Sequence, residues 1–505
     1  MKRFFFWLFL LLGLFGLLFV GLNLFDSRPG PLPAKRMESA SHLEAGNGFF
    51  ILWGFAAGAG SDPQTPAFRE EVRALVDAPG TTGSPRLRYG QWLARLNAAY
   101  RSEWQGANLY VPQLPAEDLC AYFASRCDAI QEQRLRFAVP LQRYGQVVRA
   151  AVLADFTPLG WDFPARSFLL APHAAKLFAA SRILAAIDGD WLPACAELFS
   201  AQAAGFKLIA SGRTLTVNRL GKTMVELTLR ALASLLNRRD CPPAVARFVL
   251  DQLPLRPGRE FGTQAARDFA WMSFDRALER VREEKVIDPS LLKDYFREPA
   301  RFFALERFVA ISGPRFFATV HALAAFFLKK NESTAGLRAF WDHVGRLEET
   351  PPALWGEGPR PAVRLAADLA AGPFWWLRNP LGKMMVRSAV PYTWPVLQHY
   401  VYRSHGLKVR YDLVRLLAEA RLKAGPGGSL SGAELADLLR TAAERDPFSN
   451  GPYLFNPVSG MLYSVGPDGR DDNGREMPAA FKDSDIAVPI KFVMGEKNPI
   501  SAARQ

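Results

Sequence analysis

The pattern of apolar positions begins with an unbroken hydrophobic run near the amino terminus. Lys2 and Arg3 precede the segment Phe4–Phe25, which contains no charged residue. As a helix this segment would extend about 33 Å, enough to cross a hydrocarbon core of about 30 Å. The run ends at Asp26 without the small-x-small site of a cleaved signal peptide. The pattern therefore predicts an uncleaved transmembrane helix, and a signal peptide is the competing interpretation.

The charges that flank this segment predict its orientation. Residues 1–3 form a short basic head, whereas Arg28, Lys35 and Arg36 follow the run. The positive-inside rule alone gives no clear bias for such flanks, but a two-residue basic head is typical of an N-in signal anchor. We therefore expect residues 1–3 in the cytoplasm, the lipid bilayer contacted through Phe4–Phe25, and the bulk of the chain in the periplasm, held at a bacterial inner membrane.

Helical periodicity dominates the next part of the chain. From Pro66 to about Thr350, apolar residues repeat at the spacings of one helix face. The segments Leu169–Ile187 and Leu192–Ile209 flank a short Asp-Gly-Asp turn and predict a helical hairpin. A further helix is predicted at Leu215–Leu236.

Breaks in this pattern predict the organisation of a mainly α-helical chain, since stretches rich in Pro and Gly separate its segments. We expect a helical-bundle or helix-hairpin ectodomain followed by a small α+β tail. The predicted parts are a head at 1–3, a transmembrane helix at 4–25, a linker with an apolar Gly-rich segment at 26–60, a helical domain at 61–350, a linker at 351–361, an aromatic-rich helical segment at 362–405 and the tail at 406–505. Within the Gly-rich segment, Phe49–Phe55 is too short to span a bilayer. It predicts either a buried strand or a helix on the membrane surface.

Three polar residues share one face of the helix predicted at Leu215–Leu236. Asn218, Lys222 and Glu226 follow one another at four-residue spacing, which predicts a satisfied ion pair or an exposed edge. The neighbouring Gly-Lys-Thr sequence resembles the end of a phosphate-binding loop. However, Thr216 stands where that motif requires its first glycine, and the surrounding pattern is helical. The sequence therefore argues against a phosphate-binding loop.

Composition limits the classes of partner and of covalent cross-link. The net charge of +13 is scattered, without a block of five or six basic residues, which argues against nucleic-acid binding. Of the four cysteines, Cys120 and Cys127 would be about 10 Å apart on one regular helix, too far for a disulfide. A break near Ser125 would permit the bond. A disulfide and buried free thiols are the two alternatives.

At the carboxyl-terminal end the helical pattern gives way to turns and short β-runs. Ser431 and Glu434 form the pattern of a capping box, which predicts the start of a helix. Further along, Tyr453–Asn456 and Met461–Val465 flank a Pro-Val-Ser-Gly turn. These two runs predict a β-hairpin.

The motifs after that helix follow a recognisable order. They are Asp446-Pro447-Phe448, then Pro452-Tyr453, then Ser464-Val465-Gly466-Pro467-Asp468-Gly469, and a closing Asp485-Ile486. This ending resembles the carboxyl-terminal region of the major pseudopilins of type II secretion. It is also similar to a tail on otherwise unrelated bacterial membrane-anchored envelope proteins. The amino terminus departs from pseudopilins because it lacks the prepilin cleavage signature, so we do not expect a processed pilin subunit.

The resemblance implies a calcium-holding loop. Asp468 and Asp485 would be ligands, with backbone oxygens near Val465 completing the shell. Because the intervening stretch is longer than in the family, Asp471 and Asp472 are further candidate ligands. Carboxylate and carbonyl oxygens on turns suit Ca²⁺, which takes six to eight oxygen ligands. The alternative is that these aspartates form Asx-turns in a solvated loop.

Catalytic motifs are missing from the sequence, which contains no H-E-x-x-H, G-x-S-x-G or G-x-G-x-x-G. We therefore expect a non-enzymatic, single-pass envelope protein whose helical ectodomain is a scaffold for protein partners. The pseudopilin resemblance implies an association with secretion or pilus-like machinery. The alternative is a membrane-tethered periplasmic hydrolase with a site near His399 and His405, where polar and aromatic residues are densest.

Overall fold

The computed structural model describes residues 11, 13–14, 46–76, 84–104, 118–158, 164–256, 258–284, 329–355, 379–475 and 485–494. Of the predicted anchor Phe4–Phe25, only Leu11, Gly13 and Leu14 fall within this set. Most of the predicted linker at 351–361 and residues 362–378 lie outside it. The anchor therefore stays a prediction.

The described chain is mainly helical, as predicted. The first seven α-helices are α1 (Phe49–Trp53), α2 (Pro66–Val76), α3 (Ser84–Ala99), α4 (Leu119–Ala124), α5 (Cys127–Arg136), α6 (Ala138–Arg149) and α7 (Ala165–Ile187). The next seven are α8 (Trp191–Ser211), α9 (Leu215–Leu236), α10 (Pro243–Gln252), α11 (Gln264–Glu284), α12 (Lys330–Glu349), α13 (Pro380–Ala424) and α14 (Gly432–Thr441). The strands are β1 (Leu430–Ser431), β2 (Leu454–Asn456), β3 (Met461–Ser464), β4 (Ile486–Pro489) and β5 (Val493–Met494).

The chain divides into two compact units, and both are discontinuous in sequence. The smaller unit comprises Met1–Met37, Arg267–Arg346 and Glu357–Tyr400, and the larger one comprises Glu38–Ala266, Leu347–Gly356 and Val401–Gln505. This division differs from the predicted one. The helical domain expected at 61–350 contributes to both units, and the boundary expected between 405 and 406 falls inside α13.

The core of the larger unit is built around α7 and α8, which form the predicted helical hairpin. Helix α9 packs against both of them. Two glycines allow α8 and α9 to approach closely. A Cβ added at Gly221 would lie 2.6 Å from the carbonyl oxygen of Gly205, a distance that real side chains do not adopt. Gly221 lies inside α9 and serves helix packing. This agrees with the argument against a phosphate-binding loop.

The apolar segment at the start of the larger unit forms α1, in which every residue is buried. The expectations of a strand or of a helix on the membrane surface are therefore wrong. The next residues are held by the buried guanidinium of Arg143, which donates hydrogen bonds to the carbonyl oxygens of Phe55, Ala57, Gly58 and Ser61. Buried carbonyl groups need such partners because water cannot reach them.

The smaller unit contains most of α11 and α12 and the first half of α13. Trp271 donates its indole N–H to the carbonyl oxygen of Thr334 at 3.1 Å. Asn379 accepts the backbone N–H of Lys329 at 2.8 Å and donates to Ser333 Oγ at 3.1 Å. These bonds join the ends of the elements within this unit.

The tail has the predicted capping box and hairpin. Ser431 and Glu434 exchange the two expected hydrogen bonds at the start of α14. Strands β2 and β3 pair antiparallel with Leu454 opposite Tyr463, β4 pairs antiparallel with β3, and β1 pairs parallel with β5. The tail packs into the core of the larger unit, where Tyr453 donates its hydroxyl to Asp412 Oδ2 at 2.8 Å.

Two further expectations concern membrane crossing and the cysteines. Within the described ranges, only Arg166–Ile187 is long and apolar enough to cross a bilayer by length and composition, and 56% of its most apolar window is buried, as in a core helix.

Helices α4 and α5 are interrupted at Ser125 and Arg126, yet Cys120 and Cys127 are free thiols. Of these two, Cys120 is buried and Cys127 is exposed.

Candidate functional site

The first part of the tail motif is held together by Asp446, whose side chain is buried. Its Oδ1 accepts the N–H of Phe448 at 3.0 Å and the hydroxyl of Ser464 at 2.7 Å. Its Oδ2 accepts the hydroxyl of Ser449 at 3.0 Å and the N–H of Val465 at 3.3 Å. The Asp-Pro-Phe turn and the end of β3 therefore meet at one carboxylate, which explains why these motifs occur together.

The loop after β3 is shaped by residues with left-handed backbone conformations. Their φ values lie between 60° and 78°, and they are Gly466, Gly469, Asn473 and Gly474. The folded loop directs two backbone amides at the carboxylate of Asp485, which lies just before β4. Asp485 Oδ2 accepts the N–H of Asp472 at 3.1 Å and that of Gly474 at 2.8 Å.

The other oxygen of Asp485 is in a different situation. The side chain is buried, and Oδ1 has no hydrogen-bond partner among the described residues. Burial and the charges of Asp472 and Asp471 raise the pKa of Asp485 to about 6, although the amide of Gly474 opposes this shift. A buried carboxylate with an unused oxygen and acidic neighbours would be stabilised by a bound cation.

The other predicted ligands make local contacts. Asp468 Oδ1 accepts the N–H of Arg470 at 3.1 Å, and Asp471 Oδ1 accepts that of Asn473 at 2.9 Å. Both are Asx-turn contacts, as the alternative interpretation expected. Asp471 also accepts the hydroxyl of Tyr463 at 2.9 Å. The charges of Asp471, Asp472 and Asp485 interact, whereas Asp468 is not among the groups that shift the pKa of Asp485.

Among the residues that the structure describes, no three or more His, Cys, Asp or Glu side chains form a group that could hold a metal ion. Any cation at Asp485 would therefore depend on backbone oxygens as well as carboxylates, as calcium sites allow. Asp483, at the closing end of the loop, lies outside the described residues. The calcium site stays a prediction.

The two histidines of the alternative hydrolase differ in their surroundings. His399 is exposed, whereas His405 is buried with its Nε2 2.9 Å from the carbonyl oxygen of Leu347. Burial lowers the pKa of His405 to about 4, which keeps the ring neutral at pH 7. A general base would be oriented by a hydrogen-bonded carboxylate or similar group. The ring of His405 is instead held by a backbone carbonyl.

Lys222, which the sequence placed in a polar stripe, is buried beside this histidine, and sequence reasoning missed its burial. Lys222 donates a hydrogen bond to Ser404 Oγ at 2.7 Å, and both side chains are buried. Burial lowers the pKa of Lys222 to about 7, while the charge of Glu348 opposes this shift. A lysine of this kind can act as a base toward a serine hydroxyl. Here the pair lies in the core, so in this conformation no substrate reaches it.

The polar stripe of α9 is therefore different from the expected exposed edge. Asn218 and Lys222 are fully buried, while Glu226 forms ion pairs with Arg403 at 3.2 Å and Arg410 at 3.8 Å. Glu226 is thus in ion pairs, and their partners lie on α13. The four-residue spacing was the available signal, but it does not tell whether the shared face points to solvent or to another helix.

Comparisons with protein-family models, with curated proteins and with solved structures gave no match.

Proposed function

We propose that the protein is a non-enzymatic, membrane-anchored scaffold of the bacterial envelope whose carboxyl-terminal loop is stabilised by Ca²⁺. The observation that carries the calcium part is the carboxylate of Asp485, buried with one oxygen unpartnered among the described residues. The charges of Asp471 and Asp472 act on it. The scaffold part is supported by the apolar segment Phe4–Phe25 and by the lack of catalytic motifs in the sequence.

The loop belongs to the larger unit and not to a separate tail domain. Leu462 of β3 and Ile486 of β4 are part of the same hydrophobic core as the central helices. A cation that orders the loop would therefore stabilise the larger unit as a whole, by an amount that grows with the ratio of cation concentration to dissociation constant. The full-length chain is the appropriate sample.

The calcium proposal is tested by thermal unfolding of the detergent-solubilised full chain with and without millimolar CaCl₂. We expect Ca²⁺ to raise the melting temperature of the wild type. Asp485→Asn should abolish this rise, and Asp468→Asn should weaken it if the ligand set implied by the resemblance holds. Asp437→Asn removes an exposed carboxylate on α14 and is the matched control. An unchanged wild-type melting temperature, or a rise that survives Asp485→Asn, would refute the proposal.

The location of the chain is tested separately. The full-length protein should remain with the membrane fraction after alkaline carbonate extraction, and protease added to spheroplasts should digest its bulk. A variant without residues 4–25 should be found in the soluble fraction. Recovery of the wild type in the soluble fraction would refute the anchor without affecting the calcium test.

The hydrolase alternative has less support. His399 is exposed, His405 is held by a carbonyl oxygen, and the pair of Lys222 and Ser404 is buried. None of these arrangements gives an accessible nucleophile with an oriented base, which hydrolysis by these groups would require.

A further inference from the structure

A buried polar cluster in the larger unit surrounds the side chain of Lys222. This lysine is fully buried within α9, and its Nζ donates to Ser404 Oγ of α13 at 2.7 Å. Glu348, near the end of α12, is also buried, and its charge acts on Lys222. The carboxylate of Glu348 accepts the N–H of Thr263 at 3.0 Å and its hydroxyl at 2.8 Å. Four parts of the fold therefore meet around one amine.

The charges that act on Lys222 come, among the described residues, from two side chains. The negative charge of Glu348 favours the protonated amine, whereas the positive charge of Arg403 on α13 opposes it. Glu226, one turn further along α9, is paired with Arg403 at 3.2 Å. His405 belongs to the same cluster, but burial lowers its pKa to about 4, so its ring stays neutral above about pH 6. Lys222 is therefore the group of this cluster that changes its charge near pH 7.

The surroundings of Lys222 favour its neutral form. Taking an ammonium group out of water is unfavourable unless charges and dipoles replace the water. At Lys222 the effect of burial exceeds the attraction of Glu348, and the pKa of the amine falls to about 7. When the amine is exposed to water, its pKa is about 10.4. A closed and an opened cluster therefore bind different numbers of protons between these two values.

We propose that this cluster is a pH-sensitive switch, which holds α9, α13 and the end of α12 together more firmly when the amine of Lys222 is neutral. Between about pH 10 and about pH 7 the opened cluster binds more protons, so each unit by which the pH falls favours opening by up to about tenfold. Below about pH 7 the buried amine is protonated as well, and the effect levels off. The switch depends neither on the anchor nor on the calcium loop.

Hydrogen exchange of the detergent-solubilised full chain, measured by mass spectrometry at pH 6.5 and pH 8.5, tests this switch. Each exchange rate is divided by the intrinsic rate at the same pH, which leaves the equilibrium constant for local opening. In peptides that cover residues 217–228 and 401–410, we expect opening to be about 20-fold more favourable at pH 6.5. Peptides of α10 are the internal reference and should not show this difference.

Four variants identify the titrating group. Lys222→Met removes the amine and should abolish the difference between the two pH values. Lys222→Arg keeps a charge at both, so it should open as readily at pH 8.5 as at pH 6.5. Ser404→Ala removes an acceptor that binds an ammonium group more strongly than a neutral amine, so the effect should level off at a lower pH. Lys423→Met removes an exposed amine near the end of α13 and is the matched control.

Three results would overturn the proposal. The first is equal opening of the wild type at both pH values, and the second is a difference that persists in Lys222→Met. The third is loss of the difference in Lys423→Met, which would assign the titration to a surface charge. If Lys222→Met does not fold, Ser404→Ala decides, because an effect that levels off at the same pH as in the wild type contradicts the role of the cluster.

Discussion

Two buried aspartates of the same tail, Asp446 and Asp485, differ in how many hydrogen bonds their carboxylate oxygens accept. Asp446 accepts four hydrogen bonds, two on each oxygen. Asp485 accepts two backbone amides on one oxygen, while its other oxygen has no partner among the described residues. Asp446 binds the end of β3, and Asp485 directly precedes β4. The difference is therefore in their partners and not in their burial.

This comparison separates a structural carboxylate from one that is available to a ligand. Burying a charge is unfavourable unless dipoles replace the lost water. At Asp446 the protein supplies those dipoles to both oxygens. The residue therefore closes the turn and has no oxygen left for a ligand. At Asp485 the protein supplies about half of them and adds the negative charges of Asp471 and Asp472. The second arrangement is the one that a cation would complete.

The largest loss of stability is expected when the hydrogen bonds to Asp446 are disrupted. Asp446→Asn replaces one acceptor oxygen by an amide N–H₂, which faces either the donors of Phe448 and Ser464 or those of Ser449 and Val465. We expect the free energy of unfolding, measured with urea, to fall by about 3 kcal/mol because buried donors lose their acceptor. Asp437→Asn should change it by less than about 0.5 kcal/mol. Equal values for the two variants would contradict the assigned role of Asp446.

A smaller effect is expected from the glycine that donates to Asp485. Gly474 has φ +78°, and a Cβ there would lie 2.8 Å from Met461 Cβ. Gly469 has φ +68° with nothing within 4 Å of an added Cβ. Gly469→Ala should therefore lower the free energy of unfolding by about 1 kcal/mol from backbone strain alone, and Gly474→Ala by about 2 kcal/mol. The same loss in both variants would show that the contact with β3 is unimportant.

The smallest effect expected is the change of the free energy of unfolding with pH that the titration of Asp485 causes when a chelator is present. Its pKa is about 6 in the folded protein and about 3.9 when unfolded. The folded state therefore binds more protons between these values, so stability should fall as pH rises from about 4 to 6. We expect a fall of about 1 kcal/mol, since solvent around the exposed Asp471 screens part of the effect. Urea unfolding at pH 4.5 and pH 7 measures it.

The control for this measurement is Asp468→Asn, which should retain the wild-type fall because Asp468 is not among the charges that raise the pKa of Asp485. Asp485→Asn should lack the fall. A wild-type pH dependence in Asp485→Asn would assign the titration to another group. Addition of Ca²⁺ at pH 7 should recover the lost stability in the wild type and not in Asp485→Asn.

Local features of the fold could be predicted from the sequence because they depend on neighbours along the chain. The helix at Leu215–Leu236 has the bounds expected from its periodicity. The capping box of Ser431 and Glu434 and the hairpin of β2 and β3 follow from residues fewer than twelve positions apart. In these cases the hydrogen-bond partners are close in sequence, so their spacing is informative.

Features that depend on distant partners were predicted less well. Buried Lys222 donates to Ser404, and the segment after α1 is held by Arg143, each partner being far away in sequence. The boundary expected between 405 and 406 falls within α13, which continues from Pro380 to Ala424. Most of the stability of a helix in a protein comes from tertiary packing, which the local pattern does not show.

By itself the sequence determined that the chain is mainly helical, that a capped helix and a hairpin form its tail, and that Asp468, Asp471, Asp472 and Asp485 share one loop. Only the tertiary structure decided that Asp485 alone among these is fully buried with an unused oxygen, and that Asp446 is satisfied. The physical reason is that periodicity and turn chemistry act over a few residues. Burial and the supply of hydrogen-bond donors are decided by elements that meet only when the chain folds.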